Sequence, residues 1–138
     1  MIAVDVFRKA MRRIASQKGD FTLFALFRRA NGIGEWDLVV SAPWLQKSRY
    51  QAVSELVDLL SKSIGRKSLV ELARVEPIPV NDPNLKSLLA EFPVDDGEPE
   101  RRMRNIDLFG LQMDEAIILR AEQPARKKPA RRVLQRAS

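Results

Sequence analysis

The sequence predicts one α+β domain over residues 1–121, with a mixed sheet of about five strands in the order α-β-β-α-β-α-β-β. A basic tail that is disordered is predicted over residues 122–138. Three observations support this prediction. The apolar residues alternate between helical spacing and the two-residue spacing of strands. The chain has 138 residues, which suits one ordinary domain. The last segment combines two prolines with six cations, a composition that resists folding.

The first element is an amphipathic helix over residues 3–18. Apolar side chains recur three and four positions apart between Phe7 and Ile14, and four basic side chains occupy the opposite face. Gly19 suits the C-terminal cap, where a glycine adopts the required backbone conformation without strain.

A strand hairpin is predicted next. Residues 20–29 are apolar in both alternating sets, which indicates a strand buried on both faces. Residues 36–42 predict the second strand, with the apolar side chains of 36, 38, 40 and 42 on one face and the side chains of 37, 39 and 41 on the other. Gly32 and Gly34 lie between the two strands and are typical turn residues. A dinucleotide-binding loop is not predicted, because the glycines precede a strand rather than a helix.

A second helix is predicted from Ser48 to Ile64. Ser48 and Gln51 have the spacing of a capping box, and Gly65 is predicted to end the helix. Residues 69–75 predict a third strand. Because a strand, a helix and a strand follow one another, the two strands should be parallel.

The remaining elements are a short helix and a second hairpin. Asp82 is the predicted N-cap of the helix, and Pro93 ends it. Strands are predicted over 103–109 and 113–119. Residues 113–120 also suit a helix, but the compact β-branched pair at 117–118 favours a strand.

Composition excludes several chemistries. The chain contains no cysteine and no histidine. Disulfides, zinc sites with thiolate or imidazole ligands, and catalytic triads containing histidine are therefore excluded. No catalytic residue, metal or cofactor is predicted, and an enzyme is the less favoured class. No apolar run approaches the roughly 18 residues of a membrane span, and Asp5 interrupts any signal-peptide pattern. A cytoplasmic protein without membrane contact is expected.

The charge is unevenly distributed. Residues 1–29 carry seven cations and two carboxylates, a sum of +5, and residues 122–138 also sum to +5. Residues 30–121 carry eleven cations and fifteen carboxylates, a sum of −4. Basic ends of this kind favour phosphate backbones, which bind by counterion release. One alternative is that they lie against the acidic middle. The other is that the first helix has an ordinary solvated charged face and that the tail is a solubilising terminus without a specific partner. The candidate polyanion-binding residues are Arg8, Lys9, Arg12, Arg13, Arg126, Lys127, Lys128, Arg131, Arg132 and Arg136.

A second candidate site is the segment between the second strand and the second helix. Helix N-termini attract anions, and ligands gather where strands of open sheets end. Two cations and two aromatic side chains in this segment suit an anion or a partner. The alternative is ordinary capping and core packing. The candidate residues are Trp44, Lys47, Ser48, Arg49 and Tyr50.

Two acidic features of the sequence suggest a metal site. The loop over 94–101 has four carboxylates without the regular spacing of a calcium loop, so a solvated loop is predicted. The order helix, hairpin and further strand is similar to the core of restriction-type nucleases, a fold-level analogy. Asp37 would be the first acid of such a site. The chain has no Glu-x-Lys or Asp-x-Lys tripeptide to complete it.

The sequence therefore favours a non-enzymatic binding or regulatory module with affinity for polyanions, nucleic acid above all. An acidic protein is the other candidate partner. The alternatives are an assembly subunit, with a homodimer through a strand edge left open, and a degenerate nuclease-like domain.

Overall fold

Eight main elements follow the predicted order in this computed structural model, which describes residues 2–32, 34–95 and 97–122. A short 3-10 turn over Pro43–Leu45 precedes the second helix. The elements are α1 (Val4–Lys18), β1 (Leu23–Arg29), β2 (Trp36–Ser41), α2 (Arg49–Leu69), β3 (Leu72–Pro77), α3 (Pro83–Glu91), β4 (Arg101–Leu108) and β5 (Leu111–Ala121).

One mixed sheet has the strand order β3-β2-β1-β5-β4. The β1–β2 and β4–β5 hairpins are antiparallel, as predicted, and β2 pairs with β3 in parallel across α2. β1 lies at the centre between β2 and β5 and is buried over most of its length. The α+β class and the five-stranded mixed sheet are therefore confirmed.

The two faces of the sheet are covered by different helices. On the first face, α1 and α2 supply Phe7, Leu56 and Leu60 to a core that includes Phe24 and Leu38. On the second face, α3 contributes Leu85 and Leu88, which pack with side chains of β1 and β5. Both cores are built from the alternating positions of the same strands, because successive side chains point to opposite faces.

The predicted end of α2 needs correction. Gly65 has φ 78° and ψ 168°, so it does interrupt the helix, yet the chain re-enters a helical turn that reaches Leu69. Ser68 is buried and Leu69 packs against the first core, and these contacts stabilise the extra turn. β3 consequently begins at Leu72 rather than at residue 69.

Other boundaries shift by a few residues. β1 begins at Leu23 rather than at residue 20, and β4 begins at Arg101 rather than at residue 103. β5 pairs with both β1 and β4, so its residues must be extended. The strand prediction for residues 113–120 is therefore confirmed over the helical alternative.

The β4–β5 turn is a tight one. Phe109 and Gly110 connect Leu108 to Leu111, and both have positive φ, 55° and 75°. This is the pattern of a type I′ turn, in which asparagine and glycine are favoured. A phenylalanine in the left-handed region costs about 1–2 kcal/mol. Its ring lies 6.0 Å from that of Phe27.

Both edges of the sheet oppose pairing with a second copy. Pro77 lies in the edge strand β3 and donates no backbone hydrogen bond. The other edge strand, β4, carries three exposed arginines, and Asn105 has φ 50° where the regular pairing is interrupted. Charged and irregular edges are the usual devices against edge-to-edge association. These features weaken the case for a homodimer through a strand edge.

The predicted tail falls outside the described residues, apart from Glu122. Among the helices of the described ranges, none combines the length and the apolar character needed to cross a membrane.

Candidate functional site

The exposed face of α1 carries three cations that have no charged partner within the described part of the chain. Lys9, Arg12 and Arg13 are exposed, and none of them forms an ion pair with another described residue. The opposite face of the helix is buried in the first core through Phe7 and Ile14. Because the core fixes the rotation of α1, its basic face must point to solvent.

Glu100 joins this helix face to the edge strand β4. Its carboxylate accepts a hydrogen bond from Arg8 of α1 and another from Arg102 Nε at 3.3 Å. A hydrogen bond from its own backbone N–H is the main cause that lowers the pKa of Glu100. Arg102 and Arg8 add to this effect, and burial opposes it. The ionised carboxylate therefore holds the two arginines side by side.

Arg104 extends the same surface along β4. It lies opposite Glu115 in the β4–β5 register, and Glu115 forms an ion pair with Arg28 at 3.5 Å. Arg28 lies over the Trp36 ring on the first face, so Arg104 faces the α1 side of the sheet. We call the following six residues the basic surface: Arg8, Lys9, Arg12, Arg13, Arg102 and Arg104.

Carboxylates within this region reduce its charge only in part. Asp5 is exposed one helical turn before Arg8, and Glu100 lies between Arg8 and Arg102. Glu115, opposite Arg104, is paired with Arg28, which is not one of the six. With that pair left out, six cations minus Asp5 and Glu100 leave a local charge of +4. Among the described residues, four of the seven cations of residues 1–29 pair with carboxylates of the acidic middle, so the predicted alternative is realised in part: Arg8 with Glu100, Lys18 with Glu55, Arg28 with Glu115 and Arg29 with Asp37.

The tail begins next to α1. The Glu122 backbone N–H donates to the Thr22 carbonyl at 2.9 Å, and Thr22 follows the helix cap Gly19 by three residues. Residues 123–138 leave from that point. The six predicted tail residues lie outside the described part of the chain, and they are Arg126, Lys127, Lys128, Arg131, Arg132 and Arg136.

The predicted anion loop is built mainly from structural contacts. Trp44 Nε1 donates to the Gly19 carbonyl at 3.0 Å, and its ring packs 5.4 Å from that of Phe21. The Ser48 hydroxyl accepts from the Gln51 backbone N–H at 3.2 Å, which confirms the predicted cap. These three contacts join the loop to α1 and start α2.

The charged members of that loop are paired. Lys47 Nζ lies 2.7 Å from Glu55 Oε1, and Arg49 lies 2.9 Å from Glu76. Tyr50 is 82% exposed, so it remains accessible to a ligand. The structure brings Lys47, Ser48 and Tyr50 to one end of α2, but the two cations already face carboxylates. The basic surface is the stronger candidate for this reason.

Glu55 makes stability depend on acid pH. Hydrogen bonds from Lys18 and Lys47 lower the pKa of Glu55 below its ordinary value near 4.5, and this outweighs burial. Because the folded pKa is the lower one, the stabilisation is present above about pH 4.5 and is lost as the pH falls through the folded pKa. We expect Glu55→Gln to destabilise the protein at neutral pH and to match the wild type in strong acid. Urea unfolding at several pH values measures this difference.

Glu91→Gln is the control, since Glu91 forms no ion pair with the described residues. A pH-independent effect of Glu55→Gln would contradict the prediction.

Asp37 has a different environment from the one a nuclease site needs. It is 6% exposed, accepts a hydrogen bond from Arg29 Nε at 2.9 Å and lies 3.4 Å from Arg74 Nε. In the described ranges, no group of three or more acidic, cysteine or histidine side chains is placed to hold a metal ion.

Sequence reasoning missed the arginines that surround this carboxylate. Arg29 ends β1 and Arg74 lies in β3, so both meet Asp37 only through strand pairing. The β1–β2 register places Phe27 opposite Asp37, and Arg29 follows two residues later on the same side. Alignment of the two predicted hairpin strands is the signal that could have placed Arg29 beside Asp37.

Comparison with known proteins does not assign a role to the basic surface or to the Asp37 environment. No protein-family model matches the chain, and no curated protein or solved structure shows significant similarity to it.

Proposed function

We propose that the protein is a non-enzymatic binding or regulatory module that holds a polyanion, with nucleic acid as the preferred partner. The basic surface and the tail over 122–138 would bind it together. The observation that carries the proposal is the exposed face of α1, where Lys9, Arg12 and Arg13 have no charged partner among the described residues. We also propose a cytoplasmic location, because a chain without cysteine suits a reducing compartment.

The arrangement of these cations is unfavourable for the helix itself. Arg8 and Arg12 are four residues apart, and so are Lys9 and Arg13. Like charges at this spacing destabilise a helix by about 0.2–0.5 kcal/mol per pair. Attraction between the cations and a bound row of phosphates would offset that repulsion. Within the ranges that the structure describes, these three cations form no ion pair that would stabilise the fold, and this supports a role in binding.

The tail can act on the same ligand as α1. Ten extended residues span at most about 33–36 Å, so residues up to Arg132 can reach well beyond Glu122. α1 has 15 residues and is therefore about 22 Å long. Since the tail starts beside the C-terminal end of α1, its cations can extend along the whole basic surface.

The expected recognition is electrostatic. The exposed groups are arginine and lysine side chains on a helix whose other face is buried, and such groups pair with phosphate oxygens wherever these occur. The proposal therefore predicts weak sequence preference and strong salt dependence.

A chain that ends at Glu122 tests the contribution of the tail. It keeps the Glu122 contacts with Thr22 and Arg120 and removes six cations. We expect weaker binding to duplex DNA or RNA and a log–log salt slope that is smaller by at most about 5. Gel-shift or anisotropy titrations over a range of salt concentrations measure both quantities.

A full-length variant with the six tail cations replaced by glutamine controls for tail length, and it should behave like the truncated chain. Unchanged affinity and slope in both variants would reject the tail as a binding element. Equal affinity for polyglutamate and for nucleic acid of similar charge would point to an acidic protein partner instead.

A further inference from the structure

A cleft of about 200 Å³ lies on the second face of the sheet, apart from the basic surface. Residues of β1, β2, β3, β5 and the β4–β5 turn line it. Its walls are mainly apolar, and one end is polar. The apolar side chains that matter here are Phe27, Val39, Phe109, Leu111 and Met113.

The polar end is organised by a buried carboxylate. Asp37 Oδ2 accepts from Arg29 Nε at 2.9 Å, and Asp37 Oδ1 lies 3.4 Å from Arg74 Nε. A guanidinium has five N–H donors. The single carboxylate of Asp37 therefore cannot accept hydrogen bonds from all the donors of two guanidinium groups. Asp37 therefore fixes Arg29 at the cleft and leaves it donor capacity toward a ligand.

The charge at this end is not balanced. Glu76 also lines the cleft, and Arg49 pairs with it at 2.9 Å. Among the lining residues, Arg29 is the cation and Asp37 and Glu76 are the two carboxylates. Arg74 beside Asp37 and Arg49 beside Glu76 lie outside the lining, and counting them brings the sum from −1 to +1. With these neighbouring arginines counted, one further negative charge can be accommodated near Arg29.

The apolar wall includes a side chain held in a costly conformation. Phe109 has φ 55° at a turn position that favours asparagine or glycine. Its ring lies 6.0 Å from the Phe27 ring, and both rings line the cleft. Backbone strain of this kind concentrates at ligand sites, where the placement of the side chain compensates for it.

We propose that this cleft binds a small monocarboxylate with a single aromatic ring. The ring would lie against Phe27 and Phe109, and the carboxylate would pair with the Arg29 guanidinium. The cleft is smaller than the roughly 300–1,000 Å³ of drug-sized pockets, which favours one ring over a larger ligand. This inference is independent of polyanion binding on the first face.

The test uses the full chain and phenylacetate, followed by amide shifts in two-dimensional NMR up to millimolar ligand. Benzyl alcohol and benzylamine have the same ring with a neutral or cationic group, and phenyl phosphate replaces the carboxylate. We expect shifts around Phe27, Arg29 and Gly110 with phenylacetate, and affinities at least roughly tenfold lower for the alcohol and the amine. Absence of shifts with phenylacetate, or equal binding of all four compounds, would overturn the proposal. Binding of phenyl phosphate alone would overturn the carboxylate assignment.

Two variants separate a ligand site from a structural feature. Phe109→Asn suits the left-handed turn, so the thermal midpoint should hold or rise while phenylacetate affinity falls roughly tenfold. Arg29→Gln should lose the preference for the carboxylate over the alcohol. Arg28→Gln is the matched control, because Arg28 is the neighbouring residue and lies on the first face. Retained affinity in Phe109→Asn, or equal losses in Arg29→Gln and Arg28→Gln, would overturn the proposal.

Discussion

Replacing Lys9, Arg12 and Arg13 together by glutamine is expected to weaken nucleic-acid binding by roughly 100- to 1,000-fold near 0.1 M salt. Each cation that neutralises a phosphate contributes about 0.9 to the log–log salt slope, so three lost contacts should reduce the slope by roughly 2.7. The three side chains are exposed and unpaired among the described residues. Their loss therefore removes ligand contacts without breaking an ion pair of the fold. Anisotropy titrations of a labelled duplex at several salt concentrations measure affinity and slope together.

The matched control replaces Lys62, Arg66 and Lys67 near the C-terminal end of α2 by glutamine. These three are also exposed, and the change in net charge is identical. Of the residues that the structure describes, Lys62 pairs with Asp58 alone, at 3.3 Å on the surface, a contact worth less than about 1 kcal/mol. If the two triple variants lose the same affinity, overall charge governs binding, and the basic surface is not a site.

Stability offers a second check on the same variant. Removal of the two like-charge pairs on α1 should raise the free energy of unfolding by a few tenths of a kcal/mol. If the triple variant binds nucleic acid more weakly but is as stable as the wild type or more so, the loss of affinity comes from lost ligand contacts. A destabilised one would mean that the three cations support the fold.

Periodicity was sufficient to predict most of the architecture. The helical stripe from Phe7 to Ile14 and the doubly apolar strand around Phe24 each predict burial that the structure confirms. The caps at Ser48 and Asp82 also lie where the sequence indicates, because their signals are local and need no knowledge of the rest of the fold. The strand assignment of residues 113–120 relied on β-branching alone, and pairing with two neighbours confirms it.

Contacts distant in sequence could not be predicted. Arg8 and Glu100 are 92 residues apart, and their pairing depends on how α1 lies across the sheet. The helical turn after Gly65 was missed for a similar reason, since only the buried Ser68 and the packed Leu69 make that turn favourable. The cleft at Asp37 needs three strands in register, so its arginines have no recognisable spacing in the sequence.

Arg120 is the clearest omission, because no pattern in the sequence indicates a buried cation at the end of the last strand. It is 5% exposed, and its Nε donates to the Phe21 carbonyl at 2.6 Å. Its guanidinium also lies 3.3 Å from Glu122 and 3.6 Å from Asp20. The side chain thus joins the start of β1 to the residue from which the tail departs.

Arg120→Ala is expected to lower the free energy of unfolding by about 3 kcal/mol, because it leaves a buried carbonyl and a nearly buried carboxylate without their charged donor. Arg102→Ala is the matched control, since Arg102 makes an ion pair at the same 3.3 Å while its side chain is 53% exposed. That exposed pair should contribute less than about 1 kcal/mol. Urea unfolding of both variants gives the comparison. Arg120→Lys keeps the charge but lacks the planar fork, so it should recover only part of the loss. Equal losses in Arg120→Ala and Arg102→Ala would mean that burial adds nothing to this interaction.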